Sequence, residues 1–187
     1  EETEYRRMFE INFFGLAAVT NAVLPIMRTQ RSGHIVNISS IGGMVAFPGV
    51  GFYNATKFAV TGYSEALAKE TAPLGIKVTV VAPSGFRTDW AGRSANNTTI
   101  VIDDYAATAH TNQNTIRGYS GNQPGDPVRA AKAIIKAVEA DKPPVRLLLG
   151  AGALKGARNK IVEMQNDIDT WEETTLWADH PKEATNS

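Results

Sequence analysis

Residues 34–57 read HIVNISSIGGMVAFPGVGFYNATK, and the succession of patterns in them decides the fold. His34-Ile35-Val36-Asn37-Ile38 is short, apolar and β-branched, bounded by Gly33 and by Ser39-Ser40, which predicts a buried strand. Residues 41–51 hold four glycines and a proline and predict a loop. From Phe52 the pattern turns helical, with Ala59, Val60, Tyr63, Ala66 and Leu67 at helical spacing. Tyr53 and Lys57 are four positions apart and share one helix face. Ser40 falls at the carboxyl end of the strand, where open parallel sheets place their ligands.

One hydroxyl, one phenol and one ammonium can thus meet at the mouth of a sheet. A free tyrosine titrates near ~10 and exchanges protons poorly at neutral pH. An ammonium within ~4–6 Å lowers that pKa by roughly 1–3 units, so Lys57 is expected to depress Tyr53. Ser40 can hydrogen-bond a substrate oxygen and hold it beside Tyr53. The trio suits proton transfer at an oxygen while a hydride moves at the attached carbon, and the hydride requires a cofactor.

The 187 residues suffice for one domain with a core. Hydrophobic content of 43% and charged content of 20% are those of an ordinary globular chain. Zero formal net charge recommends neither nucleic acid nor an anionic membrane as partner. With no cysteine, a disulfide framework and a thiolate metal site are both excluded, and a cytoplasmic location is the expectation. No apolar run is expected to approach the roughly 20 residues of a membrane span. The first residue is Glu1, inside a helical pattern, so the chain is expected to be a piece of a longer polypeptide.

Residues 1–30 predict one long helix with an apolar stripe through Tyr5, Met8, Phe9, Phe13, Leu16, Val19, Val23 and Met27. Pro25 is expected to kink it and Ser32-Gly33 to end it. Asn12 lies on that stripe, where an amide needs hydrogen-bond partners. Pro73-Leu74-Gly75 stops the second helix, and residues 76–82 predict a second strand ending at Pro83-Ser84-Gly85-Phe86-Arg87-Thr88. Residues 89–125 are irregular, with a short helix over 103–115. Trp90, Tyr105, His110 and Tyr119 there either line a pocket or pack the segment onto the body. Asp126 is the expected N-cap of a helix opening at Pro127, and residues 145–149 a third strand. Gly150-Ala151-Gly152-Ala153-Leu154-Lys155-Gly156 imitates a dinucleotide fingerprint, but residues 157–177 continue as a helix where that motif needs a strand. No metal site is expected, since the three histidines are far apart in sequence.

The chain resembles the short-chain dehydrogenases/reductases. That family has a serine followed, thirteen positions on, by the tyrosine of Tyr-x-x-x-Lys, and Ser40, Tyr53 and Lys57 match in register. Asn12 in Asn-x-x-Gly matches the fourth member of the set, which implies a water relay to the lysine. The resemblance implies an α/β fold, a Rossmann-like doubly wound parallel sheet, present incompletely as about three strands and four to five helices. It implies NAD or NADP as cofactor and an alcohol/carbonyl small molecule as substrate. Tyr53, Lys57, Pro83, Ser84, Gly85 and Thr88 are the implied cofactor contacts, with Ser84 where the family usually has glycine. Residues 1–177 would be the catalytic half, 89–125 its lid and 178–187 a polar tail. The family's glycine-rich loop and Asn-Asn-Ala-Gly segment do not occur in these residues. A homo-dimer or tetramer through the helices at 2–30 and 52–72 is also implied. The alternative is a truncated, non-catalytic remnant acting as a dimerising or partner-binding module.

Overall fold

The computed structural model describes residues 1–91 and 102–180, in which helices and strands alternate. Strands β1 (Gly33–Ile38), β2 (Ile76–Pro83) and β3 (Arg146–Leu149) form a parallel sheet in that order. Ile35 pairs with Val78, Asn37 with Val80, and Ala82 with Leu148. β2 is central and buried almost throughout, which explains its near-continuous apolar run. Among the described residues β1 pairs only with β2, so its other edge is open.

The first long helix comprises α1 (Glu2–Phe9), a π turn (Glu10–Phe14) and α2 (Gly15–Gln30). By length and composition alone it could cross a bilayer, a correction to the expectation that no segment could. Its contacts are those of a packed helix: Tyr5 stacks on Phe52 and Phe13 meets Tyr63 edge-on, both partners on α3 (Gly51–Thr71). α2 and α3 cover one face of the sheet, where Ile35, Leu67, Ile76 and Val78 form a cluster joined by Leu24, Met27 and Tyr63. Val60, Val80 and Val81 are almost wholly buried, each contributing about 1.5–3 kcal/mol. On the other face Thr79 donates to the Pro144 carbonyl (2.8 Å) and accepts from His34 Nε2 (2.9 Å), tying β1, β2 and the turn before β3.

α4 (Thr111–Gly118) follows a short π turn (Ala106–His110), and α5 (Pro127–Val138) opens as expected, with Asp126 accepting from the Val128 and Arg129 amides. The architecture is an incomplete Rossmann-like doubly wound sheet. The long helix ends at Gln30, as expected, with Arg31 as its cap in the left-handed position (φ 53°) donating to the Met27 carbonyl. Two local expectations fail. β3 starts at Arg146, one residue late. α6 (Ala151–Trp177) starts at Ala151, so Gly150 is its N-cap and the rest of the glycine run lies in its first turns.

Candidate active site

β1 delivers Ser39 and Ser40 to the carboxyl edge of the sheet, and both are buried. Ser40 is extended and caps the short turn Ile41–Gly43, its Oγ accepting from the Gly42 amide (3.0 Å). Ser39 Oγ donates to the Lys57 carbonyl (3.0 Å) and lies 2.9 Å from Thr61 Oγ1, which donates to the same carbonyl. The loop is thereby fastened to α3 where Tyr53 and Lys57 project. Gly43 fills the gap: a Cβ there would lie 2.5 Å from Ser39 Oγ and 2.6 Å from the Lys57 carbonyl oxygen.

Tyr53 and Ser40 meet at Gly42, where a Cβ would lie 3.2 Å from Tyr53 Cε1 and 3.4 Å from Ser40 Oγ. Lys57 Nζ donates to the Ile38 carbonyl (3.1 Å) and sits 5.8 Å from the centre of the Tyr53 ring. Ser40 from the end of β1 and Tyr53 and Lys57 from α3 thus come together at one place. The Tyr53 pKa is displaced opposite to the expectation. Burial raises it, and the Ser40 side chain only partly offsets that. Burial also lowers the Lys57 pKa, because water that would solvate its ammonium is excluded.

Asn12 sits in the π turn, a distortion common at functional sites. Its Nδ2 donates to Thr56 Oγ1 (3.1 Å), and Thr56 Oγ1 donates to the Tyr53 carbonyl (2.8 Å). Asn12 therefore reaches the site through Thr56. Sequence reading passed over Thr56, Ser39 and Thr61. The available signal was a hydroxyl three positions after Tyr53 on the same helix; Thr56 is fully buried in the structure.

The segment after β2 borders the same edge. The Ser84 amide donates to the Leu149 carbonyl (2.9 Å), and Ser84 Oγ makes a second, longer bond to it (3.3 Å). Pro83 ends β2, Gly85 and Thr88 are exposed, and Thr88 Oγ1 accepts from the Trp90 amide (3.4 Å). Trp90 leans on Tyr53 with ring centres 5.1 Å apart, whereas His110 bonds back to the Ile102 backbone and so packs its own segment. Asn112 and Gln113 of α4 donate to the carbonyls of Pro48 and Gly49 (2.8 and 2.9 Å), holding α4 over the loop after β1. The expected lid (89–125) and tail (178–187) fall partly outside the described residues, as 92–101 and 181–187 do.

The glycines of the run 150–156 make packing contacts. Gly150, at φ 91°, abuts the Ser84 hydroxyl. A Cβ on Gly152 would lie 3.2 Å from Ser84 Cβ, and one on Gly156 3.4 Å from Ile41.

The model of the family described as short chain dehydrogenase matches residues 1–99. The chain belongs to that family. It is 40% identical over 167 residues to "Oxidoreductase BOA17" of Botryotinia fuckeliana, a match covering 89% of this chain and 61% of that protein. A short-chain dehydrogenase from Streptomyces avermitilis shares the fold with a TM-score of 0.87 and 40% identity, over 96% of this chain and 64% of that one. Two Burkholderia short chain dehydrogenases, each 22% identical, share the fold at lower TM-scores. The one from B. cenocepacia is in complex with NADP (0.64; 91% and 60% covered), that from B. phymatum with NAD (0.68; 88% and 60%). The chain thus spans about three fifths of the length of these relatives. It is an oxidoreductase-family chain whose structural neighbours take a nicotinamide cofactor.

The donor set fits such a group. A lysine ammonium and a phenol at the carboxyl edge of a parallel sheet suit the hydroxyls of a ribose and the oxygen of a reacting carbonyl.

Proposed function

We propose that this chain carries the proton-transfer site of an NAD(P)-dependent alcohol/carbonyl oxidoreductase acting on a small molecule in the cytoplasm. Residues 1–177 form the catalytic half, with 89–125 as its lid and 178–187 as a tail. The observation that carries this reading is the meeting of Tyr53 and Ser40 at Gly42 on the sheet edge, with Lys57 one turn further along α3 and bonded to the Ile38 carbonyl.

In carbonyl reduction Tyr53 gives its proton to the substrate oxygen, and in alcohol oxidation it takes one. Tyr53 is protonated at neutral pH, as a donor in the reductive direction must be, and the charge of Lys57 is what would ease loss of that proton once substrate is bound. Ser40 holds the substrate oxygen, and Lys57 holds the ribose and steadies the phenolate when it forms. Asn12, through Thr56, fixes the turn of α3 that presents Tyr53 and links Lys57 to solvent protons. The nicotinamide, when bound, supplies or accepts the hydride. Pro83, Ser84, Gly85 and Thr88 border its place, along with Tyr53 and Lys57.

Replacing Tyr53 by Phe in the full-length protein should lower NAD(P)H-dependent carbonyl reduction by at least about 100-fold, with the melting temperature nearly unchanged. Retained turnover would remove Tyr53 from the chemistry.

A second reading, a dimerising or partner-binding module without catalysis, is favoured by one observation. Phe14, Val19 and Ile26 of the long helix are largely exposed, as for a face that meets another chain. The enzyme reading accommodates the same face as a dimer or tetramer contact through the helices at 2–30 and 52–72.

A further inference from the structure

α6 leaves the body after its first two turns. Ala153 and Ala157 are buried against Ile41, but every residue from 161 to 177 is exposed. This free part is about 25 Å long. Ile161, Met164, Ile168 and Trp171 follow the three-then-four spacing of a coiled-coil seam, and they are 61%, 51%, 58% and 61% exposed. Four large apolar side chains in one stripe on a free helix call for a covering surface.

Charge says what covers it. Lys155, Arg158 and Lys160 are basic and precede the seam. Glu163, Asp167, Asp169, Glu172 and Glu173 are acidic and run along it. A parallel copy would set like charges level with one another, whereas an antiparallel copy sets the basic start against the acidic end. With Met164 opposite the second copy's Ile168, and Ile161 opposite its Trp171, Lys160 comes level with its Glu172 and Arg158 with its Thr174. The last residues of the second helix, 173–177, then run beside the exposed side of residues 155–159.

We propose that the free part of α6 is a self-association element, through which two copies of this chain pair antiparallel along Ile161, Met164, Ile168 and Trp171. This surface is separate from the long helix and from α3, and the proposal does not depend on the catalytic reading.

The chain has no cysteine, so single cysteines placed on exposed positions give clean reporters. In the antiparallel pair Gln165 lies close to its own counterpart, while the two copies of Glu172 are about 18 Å apart along the axis. A short bis-maleimide should therefore cross-link the Gln165→Cys protein into dimers at least tenfold more than the Glu172→Cys protein. Adding Ile168→Asp, an exposed position that leaves the body intact, should abolish the Gln165→Cys cross-link. Equal yields at both positions would overturn the proposal in favour of parallel or random contact. No cross-link at either would overturn it in favour of another cover, such as a segment of the same polypeptide. Insensitivity to Ile168→Asp would remove the seam.

Discussion

Among the described residues, β1 and β3 are each followed by a glycine-bearing segment leading into a long helix, and the candidate active site lies behind β1. Behind β1 the glycines admit side chains with chemistry. Gly43 opens room for Ser39, Thr61 and the Lys57 carbonyl, and Gly42 lies against Tyr53 and Ser40. Behind β3 the glycines admit only packing: Gly150 and Gly152 meet Ser84, and Gly156 meets Ile41. Glycine shows where backbones approach closely, and the groups brought close decide whether anything reacts there.

The sharpest break of this comparison is a methyl group added to each segment. Gly43→Ala drives a Cβ into a backbone carbonyl and two hydroxyls, and should cost about 2 kcal/mol in urea unfolding. Gly156→Ala meets Ile41 only at ordinary contact distance inside a helix, and should be neutral or stabilising by up to about 1 kcal/mol. Equal losses at the two positions would erase the distinction between them.

A smaller effect comes from titration. The folded protein holds the Tyr53 proton to higher pH than the unfolded chain does, because burial raises that pKa. The folded state therefore binds more protons above ~10, and stability falls as pH rises through that range. Lys57, with its lowered pKa, acts in the opposite sense, over the window below the ordinary lysine value. Tyr53→Phe removes only the first contribution. Its stability, measured by urea unfolding between pH 9 and 11, should fall less than that of the unaltered protein. An equal or steeper fall would contradict the burial argument.

The same two segments show what was legible in the sequence. The strand, loop and helix of residues 34–57 were readable because period, β-branching and glycine content change abruptly there. The meeting of Ser40, Tyr53 and Lys57 followed from strand direction and a four-residue helical step. The glycine run at the start of α6 misled about where that helix starts, since a glycine-bearing first turn looks like a loop until Ser84 and Ile41 are placed against it. The π turn at Asn12 was invisible because it keeps the apolar stripe while shifting the register by one residue. Thr56 was hidden for a related reason: its value lies in a contact 44 residues away in sequence. The direction of the Tyr53 pKa was misjudged because burial, a tertiary property, raises it by more than the Ser40 side chain lowers it.

The most direct measurement is a titration of the protein with NADH and with NADPH, followed by tryptophan fluorescence. Trp90 lies 5.1 Å from the Tyr53 ring and reports on the site, and Trp90→Phe identifies its share of the signal. The account predicts saturable quenching by one of the two dinucleotides, carried by Trp90 and weakened at least tenfold by Lys57→Ala. Saturable quenching that survives both substitutions would place the nucleotide elsewhere, and a folded protein showing no saturable change would contradict a nicotinamide site at the mouth of β1.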